Sequence, residues 1–455
     1  MKMNKTIFRE YDIRGKTDID FDEEFAYTLA KATATHAQKY NAKFFTLGRD
    51  CRLTSDRYAK AVIAGLVDSG IKVIDIGVCT SPVFYFSVIH FKADGGMMIT
   101  ASHNPPEYNG FKVHLGGGTI YGAEIQHLRE IIEKGNFISG KGEVEVGDII
   151  TPYKKFVLES IKLERPLKIA VDAGNGTAGP IAPDIYRQLG CSVRELFCDM
   201  DGLFPNHHPD PTIVENMTDL IAAVRAGKLD IGIGFDGDAD RIGVVDDQGK
   251  LIFGDRLLAL FAREILSRKP GATIIGEVKC SRVLFEDIEK HGGNAVMWKA
   301  GHSLIKAKMK EMGAELAGEM SGHMFFKDRF FGHDDAIYAG ARLLEILSKT
   351  DKHLSEILAD LPETYTTPEI RVDIADEIKF ELVKKAQKHF AQRYKTIDVD
   401  GVRVLFDDGA WGLVRASNTQ PALVLRFEAD SSERLDEVRK FVENEINNLR
   451  EQLEK

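Results

Sequence analysis

The chain has 455 residues, enough for about three domains of usual size. With 44% hydrophobic and 29% charged residues, its balance excludes wholesale disorder, collagen and coiled-coil architectures. Sixty basic against seventy acidic side chains leave a formal charge of -10, which argues against a nucleic-acid partner but leaves anionic small ligands open. Five cysteines (Cys51, Cys79, Cys191, Cys198 and Cys280) form no CxxC pair, so reduced thiols are expected rather than a zinc ribbon or a disulfide framework. The start, MKMNKTIFREYDIRG, lacks the apolar run of a signal peptide, and no stretch of ~20 apolar residues could cross a bilayer. A soluble, cytoplasmic protein without a membrane partner is expected.

Three stretches share one rhythm of strand, polar turn, helix, glycine stop and strand. The first runs from FFTLGRD (Phe44–Asp50) through a helix over Tyr58–Asp68 to SGIKVIDIGV. The second runs from KIAVDAGNGTAG (Lys168–Gly179) through a helix near Ile185 to LGCSVREL, and the third from ATIIGEVKC (Ala272–Cys280) through a helix near Phe285 to HGGNAVMW. Such alternation predicts three similar α/β domains in tandem with mixed or parallel sheets. After about Pro368 the pattern changes to a strand (Glu369–Ile374), an amphipathic helix (Asp376–Tyr394), and strands at Gly401–Phe406, Trp411–Arg415 and Ala422–Ala429. A final helix carries Leu435, Val438, Phe441, Val442, Ile446, Leu449 and Leu453 on one face, with Asp430 and Glu433 as its expected N-cap pair. This predicts a C-terminal α+β domain and a division at 1–149, 150–249, 250–362 and 363–455.

Four loops concentrate chemistry. In MMITASHNPPEYNGFKVH (Met97–His114), a proline-braced polar loop can hold the Ser102 hydroxyl exposed, with His103 or Lys112 moving protons; an ordinary turn with a capping serine is the competing reading. In GFDGDADRIGVVDD (Gly234–Asp247), Asp236, Asp238 and Asp240 alternate with Gly237 and Ala239. Carboxylates so crowded repel one another and make sense around a hard divalent cation, although a solvated acidic turn is the competing reading. Arg241 stands where an EF-hand has glycine and a strand follows, which favours magnesium over calcium. In AGEMSGHMFF (Ala317–Phe326), Glu319, Ser321 and His323 alternate, so an extended loop would aim all three one way, as suits a polyhydroxylated ligand; a satisfied turn would read the same. In GLVRASNTQPALVLRFEA (Gly412–Ala429), Arg415 with Ser417, Asn418 and Thr419 has the makeup of a phosphate cradle. Lesser pieces are Arg14 in an N-terminal turn (YDIRG), Lys279 at a strand end (EVKCSR) and His302 on a glycine turn (KAGHS). Together the loops point to phosphoryl transfer on a sugar.

TASHNP, DGDADR, GEMSGH and RASNT, in that order over nearly the whole chain, resemble the α-D-phosphohexomutases, most closely their bifunctional mannose/glucose branch. The resemblance implies four domains around a central cleft and a phosphoserine at Ser102. It implies magnesium held by Ser102, Asp236, Asp238 and Asp240. Arg14, Lys112 and Arg241 fall at the family's cationic reaction centre, and Lys112 and His323 at its acid/base positions. Tyr11, Lys279, His302, Glu319, Ser321 and His323 match substrate contacts, and Arg415, Ser417, Asn418 and Thr419 the phosphate loop. The implied enzyme is an isomerase that interconverts hexose 6-phosphate and hexose 1-phosphate through hexose 1,6-bisphosphate, which is both intermediate and activator, and acts as a monomer or weak dimer. Met320 and Asn418 side with mannose/glucose enzymes rather than phosphoglucosamine mutases, while Gln420 departs from the glutamate common in close relatives. Two rivals remain at this stage, a magnesium-dependent sugar phosphatase and a non-catalytic sugar-phosphate sensor.

Overall fold

The computed structural model describes residues 3–417 and 421–454. The N-terminal sheet is built from β1 (Ile13–Lys16), β2 (Phe44–Arg49), β3 (Lys72–Val78), β4 (Gly95–Ile99), β5 (Tyr108–Leu115), β6 (Gly118–Thr119) and β7 (Val144–Val146). Its order is β1-β5-β4-β2-β3-β7, with β6 on β5. β2 runs parallel to β3 and β4, whereas β5 is antiparallel to β4 and β1. Alternation along β4 shows why its residues are apolar throughout. Met97 and Ile99 pack with the helices Glu23–Ala37 and Ser55–Val67, while Met98 packs on the other face with Ser81–His90.

The second sheet contains β8 (Lys168–Asp172), β9 (Ser192–Leu196), β10 (Ile231–Phe235), β11 (Ile242–Val245) and β12 (Leu251–Ile252), in the order β12-β11-β10-β8-β9. The third contains β13 (Thr273–Glu277), β14 (Asn294–Trp298), β15 (Leu316–Gly318) and β16 (Met324–Phe326), in the order β14-β13-β15-β16. In both, a parallel βαβ core ends in an antiparallel strand, β11 or β16. One continuous apolar core joins a face of the first sheet to the second and third sheets. The helix Ala336–Ser348 lies within it, and the Tyr186 hydroxyl donates to the Ile337 carbonyl at 2.9 Å.

The last sheet is wholly antiparallel: β17 (Tyr365–Thr366), β18 (Ile370–Asp373), β19 (Lys395–Ile397), β20 (Val402–Leu405), β21 (Trp411–Ala416) and β22 (Ala422–Ala429). The helices Asp376–Phe390 and Ser432–Glu454 cover one face, and Trp411 and Leu413 on the other pack against Val278 of the third sheet's turn. The architecture is thus three α/β domains followed by an α+β domain.

Three local expectations are corrected. Arg14 lies inside β1 rather than in a turn, because Ile13–Lys16 pairs with Phe111–Tyr108. Ser431, not Asp430, caps the final helix: its hydroxyl accepts from Arg434 N at 3.1 Å, and Asp430 is drawn off to Arg282. The helix from Asp376 ends at Phe390, four residues short of Tyr394. No helix among the described residues is long and apolar enough to cross a membrane.

The helix pair on the outer face of the first sheet yields a stability test. A Cβ on Gly65 would sit 2.4 Å from the Tyr27 carbonyl oxygen and 2.8 Å from Ala30 Cβ. Helix propensity alone favours alanine by about 1 kcal/mol, but main chain cannot yield as a side-chain tip can. Overpacking should win, so Gly65→Ala is expected to destabilise by about 1–3 kcal/mol. Calorimetry should show the lowest unfolding transition moving down; a transition that stays or rises would contradict the packing.

Candidate active site

The ends of β4, β10, β13, β15 and β21 converge, so side chains far apart in sequence meet there. Ser102 follows β4 and is 3% exposed. Its φ of +52° is left-handed, and the loop is held in that conformation from three sides. Its N–H donates to Thr100 Oγ1 at 2.9 Å. The fully buried Arg52 guanidinium donates to the carbonyls of Ser102, Pro105 and Tyr108 at 2.8, 2.7 and 3.0 Å, and to that of Asn104. Gly237 lets the aspartate loop approach from the other domain, since a Cβ there would lie 2.5 Å from the Ser102 carbonyl oxygen.

Asp236, Asp238 and Asp240 are all buried, and each brings a carboxylate oxygen within 4.8 Å of the others. Ser102 Oγ donates to Asp236 Oδ2 at 2.7 Å and lies 3.0 Å from His103 Nδ1. Lys112, on β5, donates to Asp238 Oδ2 at 2.8 Å, Asp240 Oδ2 at 2.7 Å and Ser81 Oγ at 3.0 Å. Asp238 Oδ1 is buried without a hydrogen-bond partner. An all-oxygen set that includes a buried, unpaired carboxylate atom fits a hard divalent cation such as magnesium. Burial, then repulsion from Asp240 and Asp238, pushes Asp236 well above the usual carboxylate range. Burial opposes the charge of Lys112, but Asp238 and Asp240 outweigh it and hold the ammonium well above its ordinary value. Burial, reinforced by Arg241 and Arg14, drives His103 well below the usual imidazole value.

Arg14 reaches this centre from β1 and donates to Asn104 Oδ1 at 2.5 Å, with a second nitrogen on Asp12. The Arg241 N–H donates to Asp236 Oδ1 at 3.1 Å, and its backbone bridges to His323. His323 joins the two loops, with Nε2 3.0 Å from Asp240 Oδ1 and Nδ1 2.6 Å from Glu319 Oε2. Burial opposes its protonation, but Asp240 and Glu319 raise it to about 10. The GEMSGH segment is a hydrogen-bonded turn rather than the extended loop expected. Gly322, at φ +90°, donates to the Glu319 carbonyl and lets the chain turn from β15 into β16. Glu319, Ser321 and His323 meet all the same, with Ser321 Oγ 3.3 Å from His323 Nδ1.

His302 opens a helix after Gly301, whose N–H donates to Glu319 Oε1 at 2.6 Å. The Tyr11 hydroxyl donates to the Ala300 carbonyl at 2.9 Å, with its ring 6.2 Å from that of His302. Lys279 donates to Glu369 Oε2 at 3.1 Å and lies 3.5 Å from the buried Glu277. Arg415 Nε donates to Asp400 Oδ2 at 3.0 Å, and Ser417 is buried at the end of β21. Asn418 and Thr419 lie outside the described residues.

Several supporting groups escaped the sequence reading. Ser81 donates to Asp238 Oδ2 at 2.6 Å, Thr177 Oγ1 donates to the Gly237 carbonyl at 3.1 Å, and Arg52 and Asp400 act as above. Thr80-Ser81-Pro82 does carry a helix-start signature, with Thr80 as the N-cap, and Asp400-Gly401 a hairpin signature. Arg52 has no local signal, because its partners are main-chain carbonyls. A groove of about 850 Å³ lined by Tyr394, Phe406, Asp408, Arg434 and Phe441 shares no residue with this site.

Comparison with known proteins converges on one family. Models of the phosphoglucomutase/phosphomannomutase α/β/α domains I, II and III match residues 5–139, 150–249 and 253–365, and that of the C-terminal domain matches 369–445. The chain is 48% identical over 442 residues to a phosphomannomutase/phosphoglucomutase of Pseudomonas aeruginosa, covering 97% of this chain and 95% of that one. It is 47% identical to a phosphoglucomutase of Neisseria gonorrhoeae, covering 96% and 95%. A crystal structure of a phosphoglucomutase/phosphomannomutase family protein from Burkholderia thailandensis superposes with a TM-score of 0.93 at 42% identity, covering 98% of each chain. With all four domain models matched in order, this chain belongs to the phosphoglucomutase/phosphomannomutase family.

Proposed function

We propose that the chain is a hexose-phosphate mutase, an isomerase interconverting hexose 6-phosphate and hexose 1-phosphate of mannose and glucose through a phosphorylated Ser102. The observation that carries the reading is the Ser102 hydroxyl on Asp236, beside two further carboxylates and Lys112, with His323 of the third domain on Asp240. The domain division proposed is 1–149, 150–249, 250–362 and 363–455, each unit supplying one loop.

In this reading phospho-Ser102 donates its phosphoryl group to the free sugar oxygen: the Oγ–phosphorus bond breaks as a sugar-oxygen–phosphorus bond forms. The resulting hexose 1,6-bisphosphate, also the activator, turns over in the cleft and returns its other phosphate to Ser102. Lys112, Arg14 and Arg241 offset charge on the transferring oxygens, since such chemistry is mostly positioning plus electrostatics. Asp236, Asp238, Asp240 and Ser102 would hold Mg2+, which when bound supplies charge neutralisation at the phosphoryl oxygens. His323, held between Asp240 and Glu319, is placed to exchange a proton with the sugar hydroxyl, and Lys112 and His103 flank the same centre. Tyr11, Lys279, His302, Glu319 and Ser321 would hold the sugar. Arg415 and Ser417, with Asn418 and Thr419, would hold the phosphate that is not reacting. Burial of Ser102 supports transfer to an enclosed sugar over hydrolysis.

Three outcomes follow. Ser102→Ala should abolish nearly all turnover yet still bind hexose phosphate, because binding groups sit on other loops. Retention of more than about a tenth of wild-type kcat, a loss under ~1.4 kcal/mol, would exclude covalent catalysis there. Asp238→Asn should sharply raise the Mg2+ concentration needed for half-maximal rate, and full activity after exhaustive chelation would remove the metal from the account. A site that reads hydroxyls common to both sugars leaves the one at carbon 2 unread, so kcat/KM for mannose 1-phosphate and glucose 1-phosphate should agree within about two orders of magnitude. Glu319→Ala should impair both reactions together; impairment with one sugar only would refute dual specificity.

A further inference from the structure

The main chain of Ala300, in the third domain, is held from two others. The Ala300 carbonyl accepts from the Tyr11 hydroxyl of the first domain at 2.9 Å, while the Ala300 N–H donates to Asp400 Oδ2 of the last at 3.2 Å. The next residue, Gly301, has a φ of +127°, and a Cβ there would strike the Tyr11 ring at 2.6 Å, so this turn admits little but glycine. Directly beyond it His302 begins its helix.

Asp400 Oδ2 also accepts from Arg415 Nε at 3.0 Å. Both side chains are largely enclosed, at 9% and 14% exposure for Arg415 and Asp400. A carboxylate on Nε fixes the plane of a guanidinium while leaving both terminal nitrogens to a planar or tetrahedral anion. Asp400 is itself rigidly placed, in the hairpin between β19 and β20. Gly401 there, at φ +80°, packs so closely on β21 that a Cβ would lie 2.3 Å from the Val414 carbonyl oxygen. The side chain of Gln387 holds the Gly401 carbonyl from behind at 2.8 Å.

The geometry points to Asp400 as a positioning residue that aims the Arg415 fork at a substrate phosphate and ties that fork, through the Ala300 main chain, to the turn that precedes His302 and receives Tyr11. This rests on the reading of Arg415 as a phosphate ligand. One oxygen serves both donors, so the last domain meets the sugar-side turn only where the arginine is also oriented. Asp400 does not touch the reacting atoms, and its effect falls on binding rather than on the chemical step.

The test is steady-state kinetics with glucose 1-phosphate at saturating Mg2+ and glucose 1,6-bisphosphate. Asp400→Ala is expected to raise KM by roughly tenfold or more while kcat changes by less than about threefold. Asp400→Asn keeps an oxygen acceptor without the charge and should recover part of that loss. In an Arg415→Ala background, Asp400→Ala should add less than about a further twofold. Additive losses in the double variant, or a fall in kcat at unchanged KM in both Asp400 variants, would overturn the proposal. A raised KM in Arg415→Ala beside an unchanged one in Asp400→Ala would overturn the proposal alone. An unchanged KM in Arg415→Ala would overturn the phosphate reading beneath it.

Discussion

Three carboxylates buried within 4.8 Å of one another set the terms for the rest of this molecule. Two unit charges about 4 Å apart repel by about 4 kcal/mol at an effective dielectric of 20, so the loop is sustainable only with positive charge close by. Lys112 supplies part of it from the neighbouring domain, held protonated because Asp238 and Asp240 outweigh its burial. Asp236 makes no ion pair with that lysine, and burial, then the two neighbouring carboxylates, push it toward the neutral form. A divalent cation held by the three carboxylates would remove the remainder, and in the proposed reading its charge would also serve a phosphoryl group at Ser102.

That constraint accounts for the position of the surrounding parts. The Ser102 loop must touch the aspartate loop across a domain boundary, which explains Gly237, the left-handed Ser102 and the brace that Arg52 gives to the loop's carbonyls. His323 completes a chain from Asp240 to Glu319, and Glu319 continues it to the Gly301 amide. The metal-type loop is therefore connected, contact by contact, to the turn that presents His302. Asp400 extends the chain to Arg415. Charge balance at one loop has thus been turned into alignment of four.

Much of this was legible in the sequence. The βαβ rhythm placed strands within Phe44–Asp50, Lys168–Gly179 and Ala272–Cys280, where the structure has Phe44–Arg49, Lys168–Asp172 and Thr273–Glu277, because buried parallel strands need apolar residues on both faces. The aspartate loop was legible because crowded carboxylates have few structural uses. What escaped was set by tertiary contact. Arg14 reads locally as a turn residue, yet pairing with Phe111–Tyr108 makes it part of a strand. The alternation in GEMSGH suggested an extended loop, but Gly322 permits a tight turn that reaches the same convergence by another route. Arg52 serves main-chain carbonyls and Asp400 a main-chain N–H and the Arg415 Nε, and nothing in their flanking residues signals such partners. The cap of the last helix went to Ser431 because Arg282, from another domain, claims Asp430.

The central claim, that this charge arrangement exists to carry a phosphoryl group on Ser102, is tested most directly by peptide mass spectrometry. The full chain would be incubated with glucose 1,6-bisphosphate and Mg2+, then digested, before and after a chase with excess hexose monophosphate. The account predicts one phosphoryl group on the peptide containing Ser102, localised to that serine and exchanged during the chase. Full mutase turnover with an unmodified Ser102, or with the phosphoryl group on a different residue, would contradict it.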